Sequence, residues 1–194
     1  MLRPDYPIAT ERLLLRPFEN GDFEAMLDIH SRPDVARYLY WGPRGPEEAR
    51  KALEEKVTMS AIEREGDGLA LAVVRTDTGE MIGEVTLTWR SEEYRQGEIG
   101  FLIHPGHGGH GFATEAAEAM LAVGFEQLGL HRIWGSADAR NAASAKLMER
   151  LGMRLEAHLI ENEFVKGEWQ SELDYAILDR EWRQSRDASR RTSS

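Results

Sequence analysis

Residues 103–116, IHPGHGGHGFATEA, place four glycines between an apolar run and an amphipathic pattern. Glycine lets backbone amides approach a bulky anion and adopt φ > 0 where a turn needs it. The first amides of a following helix have no internal partner and sit at the positive end of its dipole. Loop and helix start together make an anion cradle, and a diphosphate is its natural occupant. Gly106, Gly108 and Gly111 also fit G-x-G-x-x-G. A dinucleotide fold, however, needs that string after the first strand of a βαβ unit, with an acidic residue about 20 positions later at the end of a second strand. Here it follows three consecutive strand patterns, and the stretch about 20 residues on reads as helix. An ordinary glycine-rich turn is the plainest alternative.

Other residues could do chemistry. His104, His107 and His110 crowd the same loop, but no HExxH pattern or cysteine accompanies them and they would compete with the anion for space. They read as residues flanking the cradle, with no metal. Asn141 has the type and place of a helix N-cap, which makes Ser144 a first-turn residue. Glu84 and Glu98 lie in strand patterns, where each either faces solvent or offers a carboxylate to a reaction.

The elements that would position these residues follow from periodicity. Arg12–Phe18 is a strand, Asn20–Asp22 a turn with Asp22 as a cap, and 23–30 a helix broken by Pro33. A second helix starts at Pro46 and runs towards Arg64. Residues 69–75, 81–89 and 97–104 are strands joined by short loops, an antiparallel meander. From Phe112 the apolar positions 113, 116, 117, 120, 121, 124, 125 and 128 keep helical spacing to Gly129. A strand at 132–137, a helix at 142–151 and two strands in 153–178 around Lys166-Gly167 complete a single α+β domain, residues 1–182. Its central sheet is mixed and mostly antiparallel, flanked by about four helices. Residues 183–194 read as a disordered tail.

Composition bounds the function. Acidic residues outnumber basic ones, 34 to 24, for a net charge of −10. That balance argues against nucleic acid as a partner and suits a cationic one, besides solubility. No apolar run is long enough to span a membrane, and the N-terminus lacks a signal-peptide pattern, so the cytoplasm is expected. With no cysteine, thiol-based acyl intermediates are excluded.

The combination of strand, proline, glycine loop and GFATEA, then a strand and N-x-x-S…LGM, resembles the GNAT superfamily of acetyltransferases. TERLLLRP at Thr10 and YLYWGP at Tyr38 extend the similarity over nearly the whole chain. The branch that acetylates ribosomal-protein N-termini is the most similar. The resemblance implies acetyl-CoA as co-substrate and a sheet splayed at its site. Phe101, Leu102 and Ile103 would pair with the pantetheine arm. Gly109, His110, Gly111, Phe112, Ala113 and Thr114 would hold the pyrophosphate. Asn141 would contact the arm and Ser144 would lie near the thioester sulfur. One departure is Gly108, where the family's loop usually begins with Gln or Arg. Another is Met148, where many relatives carry a tyrosine acid; methionine cannot donate a proton, which leaves Ser144 as the donor to the leaving sulfur.

The resemblance also implies direct transfer to a primary amine, which must be neutral to attack. An α-amine (pKa about 7.7–8.0) is about one quarter neutral near pH 7.4, against about 0.1 % of a lysine. Glu98 matches the position of the family's catalytic glutamate, and Glu84 on the neighbouring strand is a second candidate. A protein N-terminal α-amine is the expected acceptor. Polyamines, amino sugars, amino acids and a catalytically silent acyl-CoA-binding module are the rivals. Ser171 stands where relatives in that branch often have aspartate, and a homodimer is compatible with the reading.

Overall fold

The computed structural model describes residues 1–192, with side chains described through Ala188. One sheet of eight strands has the order β1-β2-β3-β4-β5-β6-β8-β7. The strands are β1 (Ile8–Ala9), β2 (Leu13–Pro17), β3 (Gly68–Arg75), β4 (Met81–Ser91), β5 (Gln96–Ile103), β6 (Arg132–Asp138), β7 (Arg154–Val165) and β8 (Glu168–Leu178). Every neighbouring pair is antiparallel except β5 and β6. The α+β class and the mostly antiparallel mixed sheet match the sequence reading.

Strand β3 is buried on both faces, which its continuous apolar run dictates. Leu69, Leu71 and Val73 join the core under α4 (Phe112–Ala122), α5 (Ala142–Arg150) and α6 (Asp179–Thr192). Ala70, Ala72 and Val74 face a second core with Met26 of α1 (Phe23–His30) and Ala52 and Leu53 of α3 (Pro46–Thr58). The small side chains on that face let both helices approach closely. Strand β4 alternates: Val85 and Leu87 are buried under α4, so Glu84, Thr86 and Thr88 fall on the opposite face.

The described residues form six α-helices, against the expectation of about four. A short α2 (Pro33–Ala36) starts at the proline that ends α1. Helix α6 occupies most of the expected disordered tail: Trp182 is buried and stacks on Phe125 at 5.3 Å, and Arg186 reaches Glu126 at 3.3 Å. Residues 193–194 lie outside the described residues. Helix α3 stops at Thr58, short of Arg64, because Ile62 is pulled into backbone pairing with Leu2. Asp22 makes no side-chain cap on α1; its carboxylate instead binds the Arg16 guanidinium at 2.7 and 2.8 Å. The stripe that reads as one helix to Leu128 widens into a π turn at Val123–Gln127, where Gly124 packs on Ile133. Among the described residues no helix is long and apolar enough to cross a membrane.

Candidate active site

The glycine loop has the conformation its sequence calls for. Gly109 and Gly111 take φ of +79° and +82°, left-handed values that a Cβ disfavours. The first amide of α4 to find a carbonyl is Glu115 N–H, which donates to Gly111 O at 3.0 Å. The amides of Phe112, Ala113 and Thr114 therefore open outwards at the positive end of the helix. Arg12 of the β1–β2 loop braces this turn: its Nη1 donates to the His110 carbonyl at 2.9 Å and its Nε to Glu115 at 2.8 Å. A loop of two left-handed glycines before an open helix N-terminus fits a diphosphate.

Two of the three histidines stay together, the His104 and His107 rings meeting edge to face at 5.7 Å, while His110 turns to Phe112. His104 accepts from Gly106 N–H at 3.0 Å and lies 3.3 Å from Asp28; His107 lies 3.4 Å from Glu80; His110 packs on Phe112. Among the described residues no three His, Asp or Glu side chains converge as for a metal ion.

Next to the loop the sheet opens. Strands β5 and β6 pair only over Gln96–Glu98 and Arg132–Trp134, then diverge. Phe101, Leu102 and Ile103 keep their β4 partners Val85, Glu84 and Gly83 while their other edge faces the gap. Helix α5 starts at the opposite lip, capped by Asn141, whose side chain accepts from Ser144 N–H at 3.1 Å. The cap predicted from sequence is thus present, and it presents Asn141 and Ser144 to the gap.

A cavity of about 220 Å³ fills the splay. Ile99 to Leu102 of β5, Glu84 and Thr86 of β4, Ser136 to Asp138 of β6, and Asn141 and Ser144 line it. The segment Tyr38–Trp41, Glu163 and Gln170 to Glu172 complete the lining. Two bridges join the 36–41 segment to the β7–β8 hairpin. Tyr40 Oη donates to Glu172 Oε2 at 2.9 Å, and Lys166 Nζ donates to the carbonyls of Ala36 and Arg37 at 2.7 and 3.0 Å.

The charged side chains of the lining are all carboxylates. Glu84, Asp138, Glu163 and Glu172 line the cavity, and no Lys, Arg or His does so among the described residues. Their environments differ. Burial pushes Glu84 up, but Lys56 Nζ at 3.0 Å and the His30 ring outweigh it and hold the carboxyl down at about 2. The Arg44 guanidinium contacts His30 Nδ1 at 3.2 Å and can only donate, so His30 Nε2 carries a proton towards Glu84, 3.6 Å away. Trp41 stacks on His30 at 4.9 Å, tying this buried chain to the 38–41 segment. Asp138 is held low by hydrogen bonds from Arg140, against its burial. Glu172 moves the other way. Burial raises it, Asp174 and Glu163 add to the rise, and only the Tyr40 hydroxyl opposes them.

The expected residues are therefore partly brought together. Phe101, Leu102, Asn141, Ser144 and Glu84 line the cavity, while Ile103 and the Gly109–Thr114 turn lie outside its lining. Glu98, expected as proton acceptor, does not line it; Arg90 binds its Oε2 at 2.6 Å. Met148 is buried in the core beside Gly135. Sequence reasoning missed Tyr40, Glu163, Glu172 and Arg12. A signal for part of this existed: Gln170, Glu172 and Asp174 recur with period two opposite Leu173, Tyr175 and Ile177, a polar face on an inner strand.

Comparison with known proteins agrees with this geometry. The acetyltransferase (GNAT) domain family matches residues 12–154. The uncharacterized N-acetyltransferase YnaD of Bacillus subtilis is 34 % identical over 178 residues, 90 % of this chain and 98 % of the relative. An acetyltransferase (GNAT family) crystal structure from Bacillus anthracis superposes with a TM-score of 0.80 at 32 % identity, covering 90 % of this chain and 99 % of that one. The spermidine N-acetyltransferase of Vibrio cholerae, solved in complex with CoA and spermine, gives 0.75 at 25 % identity, covering 89 % and 99 %. The chain belongs to the GNAT acetyltransferase family and is an acetyl-CoA-dependent N-acetyltransferase.

Proposed function

We propose that the chain acetylates a small cationic primary amine bound in the cavity between Tyr40, Glu84 and Glu172. The observation that carries this reading is the lining: four carboxylates and no basic side chain among the described residues, around about 220 Å³. Opposite charge in a partly closed cleft concentrates an ammonium and orients it. The likeness to a spermidine N-acetyltransferase with bound CoA and spermine supports the same class.

In this reading acetyl-CoA supplies the acetyl thioester, and the protein supplies positions and charges. The Gly109–Thr114 amides hold the pyrophosphate. The free edge of β5 at Phe101–Ile103 and the Asn141 side chain guide the pantetheine arm. The Ser144 hydroxyl stands by the sulfur as a hydrogen-bond donor. Glu84, kept ionised by Lys56 and His30, attracts the ammonium. A cytoplasmic location belongs to the same proposal.

A protein N-terminal α-amine, the acceptor of the branch the sequence resembles, is the second reading. Exposed Ile160, Phe164 and Trp169 on the β7–β8 hairpin, 59 to 68 % accessible, favour it as a surface a polypeptide could lie against. Thiol release from acetyl-CoA with a panel of diamines, polyamines, amino sugars, amino acids and free-N-terminus peptides tests both. Cationic small amines should give the highest kcat/KM. Turnover confined to peptides would replace the first reading with the second.

A further inference from the structure

We propose that Glu172 on β8 is the catalytic proton acceptor for the incoming ammonium, a role that rests on the amine reading above. The geometry of four glutamates decides it: Glu163 also lines the cavity without an ion pair among the described residues, but the Tyr40 hydroxyl fixes Glu172 and not Glu163. Glu98 is bound by Arg90 at 2.6 Å and does not line the cavity. Glu84 lines it, but its Oε1 takes the Lys56 ammonium at 3.0 Å; its Oε2, buried with no hydrogen-bond partner among the described residues, lies 3.6 Å from His30 Nε2. A carboxylate paired with a partly buried ammonium at this distance gains little by taking a proton. Glu172 lines the cavity and has no cationic partner among the described residues.

Its surroundings can be named from every side. Tyr40 donates from the segment after α2 at 2.9 Å. From β6 the register partner is Asp138, whose charge is already taken by Arg140 at 2.6 Å. Glu163 faces it from β7, and Asp174 lies two residues along the same face of β8. Lys166 is committed to the carbonyls of Ala36 and Arg37. Asp174 Oδ1 is buried with no hydrogen-bond partner. Glu172 thus lies among carboxyls of β6, β7 and β8, and like charges this close favour its taking a proton. Burial first, and Asp174 and Glu163 beside it, raise the pKa of Glu172 above that of an ordinary carboxyl, which makes its carboxylate a better proton acceptor.

The step balances. One N–H bond of R–NH3+ breaks, its electron pair stays on nitrogen, and an O–H bond forms on the Glu172 carboxylate. The freed pair then forms the C–N bond as the C–S bond breaks with its electrons on sulfur. The second proton lost by nitrogen as the amide forms neutralises that thiolate, and Glu172 returns its proton to solvent. Tyr40, by donating to Glu172, aims its free lone pairs at the cavity.

The test is the pH profile of kcat/KM for Glu172→Gln beside wild type, with the best amine of the panel. The expected result is a loss of about 100-fold or more near pH 7, in keeping with the usual weight of general-base catalysis. The loss should shrink to a few-fold as the pH approaches the amine's own pKa of about 10. Acetyl-CoA affinity, measured by titration, should stay within about threefold, because truncation of a base need not disturb a separate binding site. Glu172→Ala should be partly rescued by added formate, which a merely structural role does not allow. A Glu172→Gln profile parallel to wild type at every pH would overturn the assignment. So would a pH-dependent loss seen only in Glu98→Gln or Glu84→Gln. If wild type acetylates no amine at all, the acceptor reading falls first and takes this role with it.

Discussion

Arg12 and Glu115 close on each other across the start of α4, Nη2 to Oε2 at 2.7 Å, although 103 residues separate them in sequence. The same carboxylate accepts the Arg12 backbone N–H at 2.7 Å and the Thr10 hydroxyl at 2.6 Å. Arg12 also reaches the His110 carbonyl and covers the Phe112 ring at 4.8 Å. Glu115, in the GFATEA run, thus fastens the strand region before β2 to the turn that offers its amides to an anion.

Arg12→Ala should therefore weaken acetyl-CoA binding without touching the cavity. Losing two or three charge-assisted hydrogen bonds at a half-exposed site corresponds to about 1–2 kcal/mol, or about 5- to 30-fold in Kd. Titration with acetyl-CoA and CoA measures it. An unchanged Kd would leave the brace a purely structural feature.

Gly111 tests the cradle itself. Its φ of +82° disfavours any side chain, and a Cβ there would sit 3.4 Å from Arg12 Nη2. Gly111→Ala should cost about 1–2 kcal/mol in backbone conformation. Gly111→Asp adds a negative charge at the helix start and should abolish the rise in Tm that acetyl-CoA produces by mass action. A wild-type shift in the aspartate variant would remove the pyrophosphate from this turn.

Ser144 can be separated from its helix. The Asn141 cap uses the Ser144 amide, not its hydroxyl. Ser144→Ala should leave α5 and the Kd for acetyl-CoA intact while kcat falls about tenfold, the pattern of an interaction made mainly in the transition state. A loss confined to Kd would make Ser144 a binding residue only.

Much of this was legible in the chain. The glycine loop, the 112–122 stripe and the Asn141 cap depend on local spacing, and local spacing is what a sequence displays. What escaped depends on pairings distant in sequence. Tyr40 meets Glu172 across 132 residues, and Lys56 meets Glu84 across 28. Whether a strand glutamate faces Arg90 or a cavity depends on which face the register assigns and which cation lies beside it. Glu84 and Glu98 share a face of the β4–β5 pair, since Glu84 opposes Leu102 and Glu98 opposes Thr88, yet only Glu84 reaches the opening. The α6 tail escaped for a similar reason: a polar run gains a helix because Trp182 anchors it on Phe125.

Glu84 gives the last prediction, and its sign follows from the direction of its shift. Its carboxyl is held at about 2 in the fold, below its ordinary value of 4.5, so its ionised form favours the folded state. That contribution is complete above about pH 4.5 and is lost as the pH falls through that range towards 2. Glu84→Gln should therefore be less stable than wild type at pH 7, by about 1–3 kcal/mol for a buried hydrogen-bonded charge. The gap should narrow between pH 4.5 and 3. Lys56→Met should cost more, about 3 kcal/mol, since it leaves a buried carboxylate with only His30 beside it. Urea unfolding at pH 7, 4 and 3 measures both. Because the comparison is between variants, acid effects common to the whole chain cancel. A gap that stays constant down to pH 3 would mean that Glu84 is not held ionised. It would then compete with Glu172 for the acceptor's proton, whereas a closing gap leaves Glu84 a fixed anion beside the amine.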